Sequence, residues 1–72
     1  MTPESINIAI VNKTGILGDF YHDLNACHEA EMLLNSAQIL IYIQWLPRGA
    51  LSTAPQRCEA MLRVWGLWEE LK

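Results

Sequence analysis

Five consecutive apolar residues, Ile39-Leu40-Ile41-Tyr42-Ile43, most constrain what this chain can become. Ile and Tyr favour strands, and an unbroken apolar run does not distinguish a period of 2 from one of 3.6. A strand here has no second strand in the chain to pair with. Its unpaired amides would need an edge from another copy, so the strand reading implies a dimer joined through a shared sheet. A helix satisfies its own backbone. Ser36 offers a cap, Asn35 an end to the preceding segment, and Pro47 a stop. The reading adopted is a helix through this segment, with a strand over residues 37–46 pairing in a dimer as the alternative.

The remaining segments read as helices. Thr2 can cap the first, with Pro3 in its opening position, Glu4 complementing the dipole, and Ile6 and Ile10 one turn apart. Asn12-Lys13-Thr14-Gly15 reads as its stop. Residues 15–22 form a loop whose apolar anchors are Ile16, Leu17, Phe20 and Tyr21. Asp23 caps a second helix with Leu24, Cys27, Ala30 and Leu34 on its buried stripe and Asn25, His28 and Glu29 in water. The last helix is the clearest. Thr53 and Gln56 match a capping box, and Pro55 stands in the first turn. Ala54, Cys58, Met61, Leu62 and Trp65 make its apolar stripe, with Gln56, Arg57, Glu59 and Arg63 on the polar face. Gly66 fits the left-handed position after a helix, and Leu67 can fold back on Leu62. Residues 68–72 read as a tail with room for one more turn. The expected fold is all-α, a single domain over residues 1–72 built as a bundle of three to four short helices.

A chain of 72 residues makes only a small core. Its residues are 51% hydrophobic and 18% charged, which excludes a disordered tail and points to a chain that self-associates or binds a partner. The net charge is −3. Its first half carries Glu4, Asp19, Asp23, Glu29 and Glu31 against Lys13 alone. No basic stripe suits nucleic acid. An acidic face can instead cover a basic surface on another protein. The N-terminus has Glu4 where a secretory signal would be basic, and the apolar run is too short to span a bilayer. Two cysteines make no disulfide framework, so a reducing cytoplasm is the expected setting.

Three clusters carry chemistry on paper. His22, Asp23, Cys27 and His28 hold the parts of a thiol nucleophile, but adjacent helical residues point about 100° apart and Cys27 falls on the buried stripe. A buried thiol beside a surface histidine is the plainer reading. His22, Cys27, His28 and Cys58 could supply four zinc ligands, yet neither cysteine has a close partner as structural zinc sites require. Two core thiols on facing helices explain them as well. Glu29 and Glu31, two apart on a helix, diverge and read as solvated. No phosphate loop or nucleophile elbow occurs. Among the large rings, Trp45 and Trp65 read as core, and Trp68 as either an interface anchor or a cover for the core.

Two stretches carry a likeness: residues 21–31, YHDLNACHEAE, and residues 53–70, TAPQRCEAMLRVWGLWEE. Together they resemble a group of small bacteriophage and prophage accessory proteins with a DLNAxHEAE block, a variable middle, and a TAxQRxEAxLRxxGxWEE block near the C-terminus. Some of these are described as phage ABA-sandwich proteins. The likeness covers about 40% of the chain. The middle is short here, which favours a mostly helical fold over a sandwich, and Cys27 and Cys58 stand where relatives often carry other small or apolar residues. The resemblance implies a non-enzymatic, phage-encoded protein that acts in the cytoplasm of the bacterial host. By association with small acidic phage proteins, the expected action is to bind and inhibit a host factor such as a defence complex, in the manner of an anti-CRISPR protein. The residues expected at that contact are Glu29, Glu31, Trp68 and Glu69. No catalytic residue, metal or cofactor is expected, and no membrane or direct nucleic-acid partner, while a homo-oligomer stays open. One alternative is an oligomeric sponge for a defence signalling nucleotide, using Arg48, Arg57 and aromatic rings. Another is a structural or regulatory phage component.

Overall fold

The computed structural model describes residues 1–69. Four α-helices follow one another: α1 (Pro3–Thr14), α2 (Leu24–Glu31), α3 (Ser36–Trp45) and α4 (Ala54–Val64), with a 3-10 turn at Gly49–Leu51 before the last. The fold is all-α, and no strand occurs among the described residues. The isoleucine-rich run is α3, and the strand alternative is thereby excluded.

Local capping explains why strand-prone residues became helix. Asn35 accepts the Gln38 amide at 2.8 Å, and the Gln38 side chain returns to the Asn35 amide at 3.0 Å. The cap is therefore Asn35 and not Ser36. Gln38 stands three residues after Asn35 and can reciprocate, whereas the residue three after Ser36 is Ile39, which has no acceptor. Thr2 with Ser5 and Thr53 with Gln56 form the same reciprocal pair at α1 and α4. Asp23 caps α2 by accepting the Asn25 amide.

At the other end of α4 the chain reverses through Gly66, at φ 72°. The Leu67 amide donates to the Leu62 carbonyl at 2.8 Å and the Gly66 amide to Arg63 at 3.1 Å, the two bonds of a Schellman motif. Trp68 and Glu69 continue without helix, and the rest of the further turn expected over 68–72 lies outside the described residues.

Helix α4 is the centre, and each of the other three helices packs on it. The core joins Ile6 and Ile10 of α1, Ala26, Cys27 and Ala30 of α2, Tyr42 of α3 and Ala54, Cys58, Ala60, Met61 and Leu62 of α4. Phe20 enters it from the loop, fully buried. Asn7 holds that loop, donating to Asp19 and accepting the Tyr21 amide, both at 2.9 Å. The radius of gyration is 10.9 Å, close to the roughly 11 Å expected of a compact chain this long.

Several side chains lie elsewhere than their pattern indicates. Leu17 is almost fully exposed, because the short loop turns Phe20 inward and leaves Leu17 outside. Leu24, at the first position of α2, is also exposed, and Ala26 takes its place inside. Trp45 is 46% exposed rather than core, and Trp65 is only partly buried. Arg57, expected on the solvated face of α4, is only 7% exposed.

Candidate functional site

Helix α3 carries apolar residues round most of its circumference, broken only by Ser36, Gln38 and Gln44, yet only Tyr42 of its residues is buried. Such a helix normally lies inside a protein. Here Ile39, Leu40, Ile41, Ile43 and Trp45 all remain exposed, Leu40 at 66% and Ile43 at 54%. Beside α3 runs a groove of about 390 Å³, lined by Leu34, Ile39, Tyr42, Ile43, Leu46, Gly49 and Ala50, with Glu31 and Arg57 at its base.

The polar base is a closed network. Tyr42 donates its hydroxyl to Glu31 Oε1 at 2.5 Å, and Arg57 Nη1 donates to the same oxygen at 2.9 Å. Arg57 Nε donates to the Ser52 carbonyl at 3.0 Å and Nη2 to the Ala50 carbonyl at 2.9 Å. One guanidinium thus ties α4, the 3-10 turn and α2 together. Its planar fork reaches three acceptors at once, which an ammonium does not. Burial raises the Glu31 pKa, but hydrogen bonds from Tyr42, Arg57 and His28 outweigh it and hold the carboxyl below its ordinary value. Burial and the neighbouring carboxylate push the Tyr42 hydroxyl up.

Cys27 and Cys58 form a second internal pair. Their sulfurs are 4.0 Å apart, and both thiols donate to the Phe20 carbonyl, at 3.0 and 3.1 Å. Both residues are fully buried. The hydrogen bond with Cys27, together with burial, raises the Cys58 pKa. The histidines lie outside: His22 pairs with Asp19 at 2.9 Å and His28 with Glu31 at 3.3 Å. Of the sequence candidates for a nucleophile or a zinc site, the two cysteines therefore meet in the core while both histidines stay outside. Among the described residues, no group of three or more His, Cys, Asp or Glu side chains could hold a metal ion.

The four residues expected at a partner contact are divided. Glu29 is exposed on α2. Glu31 is not on a solvated face but in the network with Tyr42 and Arg57. Trp68 packs partly buried against the core, its indole Nε1 buried and without a hydrogen-bond partner among the described residues. Arg63 is stacked near both Trp45 and Trp68, its guanidinium carbon 4.5 and 5.4 Å from the two ring centroids. Glu69 is exposed, and its carbonyl accepts from the N-terminal ammonium at 3.2 Å. Trp68 and Glu69 thus sit by the N-terminus, while Glu31 belongs to the α3 groove.

Sequence reasoning missed Arg57 and Tyr42. Their partners stand 26 and 11 residues away, so no local spacing announces the network. Exposure of α3 left no trace either, because Ser36, Gln38 and Gln44 are scattered round the helix and mark no single polar side. No family model, curated protein or solved structure shows a significant match to the chain. No helix among the described residues is long and apolar enough to cross a membrane.

Proposed function

We propose that this chain is a non-enzymatic interaction protein, encoded by a phage, that binds and inhibits a protein of the bacterial host, a defence component above all. One observation carries the interaction part of this reading. The two thiols, Tyr42 and Arg57 face inward and are held by internal hydrogen bonds, while the surface is left apolar over α3 and acidic over the loop and α2. Cys27, Cys58, Tyr42 and Arg57 are all committed to internal hydrogen bonds. Asp19, Asp23 and Glu29 stand exposed, and no Lys or Arg occurs between Lys13 and Arg48. Such a surface suits a basic patch on a partner and repels nucleic acid. The phage origin and the host target are supported by the likeness of the 21–31 and 53–70 blocks to small phage proteins, and the host cytoplasm follows from that target. The nucleotide-sponge alternative keeps Arg48 but loses Arg57, whose guanidinium is buried and already holds three protein acceptors.

The test is capture from bacterial lysate with the wild-type chain and with the double reversal Glu29→Lys, Glu69→Lys. Both residues are exposed, so the fold should persist. One host protein should be retained stoichiometrically by the wild type, with capture weakened at least about tenfold by the reversal, as expected when an acidic face meets like charge. Clean lanes at high bait concentration, or capture unchanged by the reversal, would refute the reading.

A further inference from the structure

The exposed face of α3 needs a cover, and we infer that a second copy of this chain supplies it, making a two-fold dimer through α3 and its groove. The apolar side chains left outside on Leu33, Ile39, Leu40, Ile41 and Ile43 amount to on the order of 500 Å², towards the upper end of what monomers expose. A stable complex buries about 800 Å² from each partner. Met32, 83% exposed just before α3, and Leu51, 81% exposed at the end of the 3-10 turn, can supply the difference.

Charge selects the occupant. Residues 32–47 contain no Asp, Glu, Lys, Arg or His, although the chain as a whole carries −3. At a net charge of −3 two copies repel weakly overall, and a face without charge is where they approach at little electrostatic cost. A heterologous partner chosen by charge would meet the loop and α2 instead. A lipid surface is disfavoured, since interfacial helices carry Lys or Arg along their polar side and α3 has neither. Shape agrees as well. An isologous contact requires one surface to hold both a ridge and the recess that receives it. Leu40, 66% exposed and outside the groove, forms the ridge, and the groove between α3 and the 3-10 turn is the recess. Antiparallel α3 helices place each ridge against the other copy's groove.

Sedimentation equilibrium on the full chain, from about 1 to 200 µM, tests this. The wild type should approach twice the 8.2 kDa chain mass, with a dissociation constant only weakly dependent on salt, because the one charged pair lining the groove, Glu31 and Arg57, is neutralised within each copy. Leu40→Glu and Leu40→Lys should each remain monomeric with unchanged far-UV circular dichroism, weakening association at least about 100-fold. If either charged variant fails to fold, Leu40→Ser takes its place and should weaken association about tenfold. A wild type that stays at 8.2 kDa throughout, open-ended assembly, or a dimer indifferent to every substitution at Leu40 overturns the inference. Because Glu29 and Glu69 lie outside this face, host capture by the monomeric Leu40 variants is read separately. The two proposals can therefore fail independently.

Discussion

Replacing Arg57 with Met keeps most of the side-chain volume and removes every donor. The Ser52 and Ala50 carbonyls lose the bonds they now receive at 3.0 and 2.9 Å, and Glu31 loses its cation at 2.9 Å. An acceptor left unsatisfied in a buried position costs about 1–3 kcal/mol. Breaking a buried ion pair from one side costs about 3–5 kcal/mol in all. Glu31 keeps Tyr42 and His28 and is 19% exposed, so its orphaning is partial. A loss of about 3 kcal/mol is therefore expected. A domain of this length holds only on the order of 4–10 kcal/mol in total, so the variant should be marginal. Its melting midpoint should fall by roughly 12–24 °C. Urea unfolding at pH 7, followed by circular dichroism and tryptophan fluorescence, measures the change. Arg57→Lys should recover less than half of it, because an ammonium does not span three diverging acceptors. A loss under about 1 kcal/mol, or full recovery by Lys, would show that the guanidinium is not the clamp described here.

Further outcomes follow from the same structure. The Glu31 carboxyl is held below its ordinary value of 4.5, so its contribution is complete above that pH and is lost as pH falls through the lowered folded value. Glu31→Gln should therefore flatten the acid limb of a stability–pH curve, and an unchanged limb would count against the network. Cys27→Ala and Cys58→Ala should each leave the Phe20 carbonyl one thiol donor. The double variant should be less stable than the sum of the singles by about 1 kcal/mol, the coupling expected of a shared partner, whereas strict additivity in urea titrations would make the thiols mere filler. Gly66→Ala should cost about 1–2 kcal/mol, since φ there is 72° and a Cβ disfavours the left-handed region, and no loss by calorimetry would contradict that turn.

The ends of the helices were legible because capping is settled within three or four residues. Thr2, Asp23, Thr53 and Gly66 all act as their neighbours indicate. The stripe of α4 was legible for a related reason. Polar residues alternate with Cys58, Met61 and Leu62 at helical spacing, so one side is plainly the inner one. Asn35 in place of Ser36 was decided by the reach of Gln38, a local matter that the sequence also contains.

The candidate surface was not legible. Capping by itself indicated where α1, α2 and α4 begin, while for α3 the sequence left a strand open and offered Ser36 as the cap. Which side of α3 turns inward, and that Arg57 is drawn into the interior with Glu31 and Tyr42, only the tertiary packing decided. The reason is physical. Hydrophobic burial has no direction, and a helix with apolar residues on several sides gains similarly whichever of them meets α4. The choice falls to hydrogen bonds between residues far apart in the chain, and one small core then leaves the other sides of α3 uncovered.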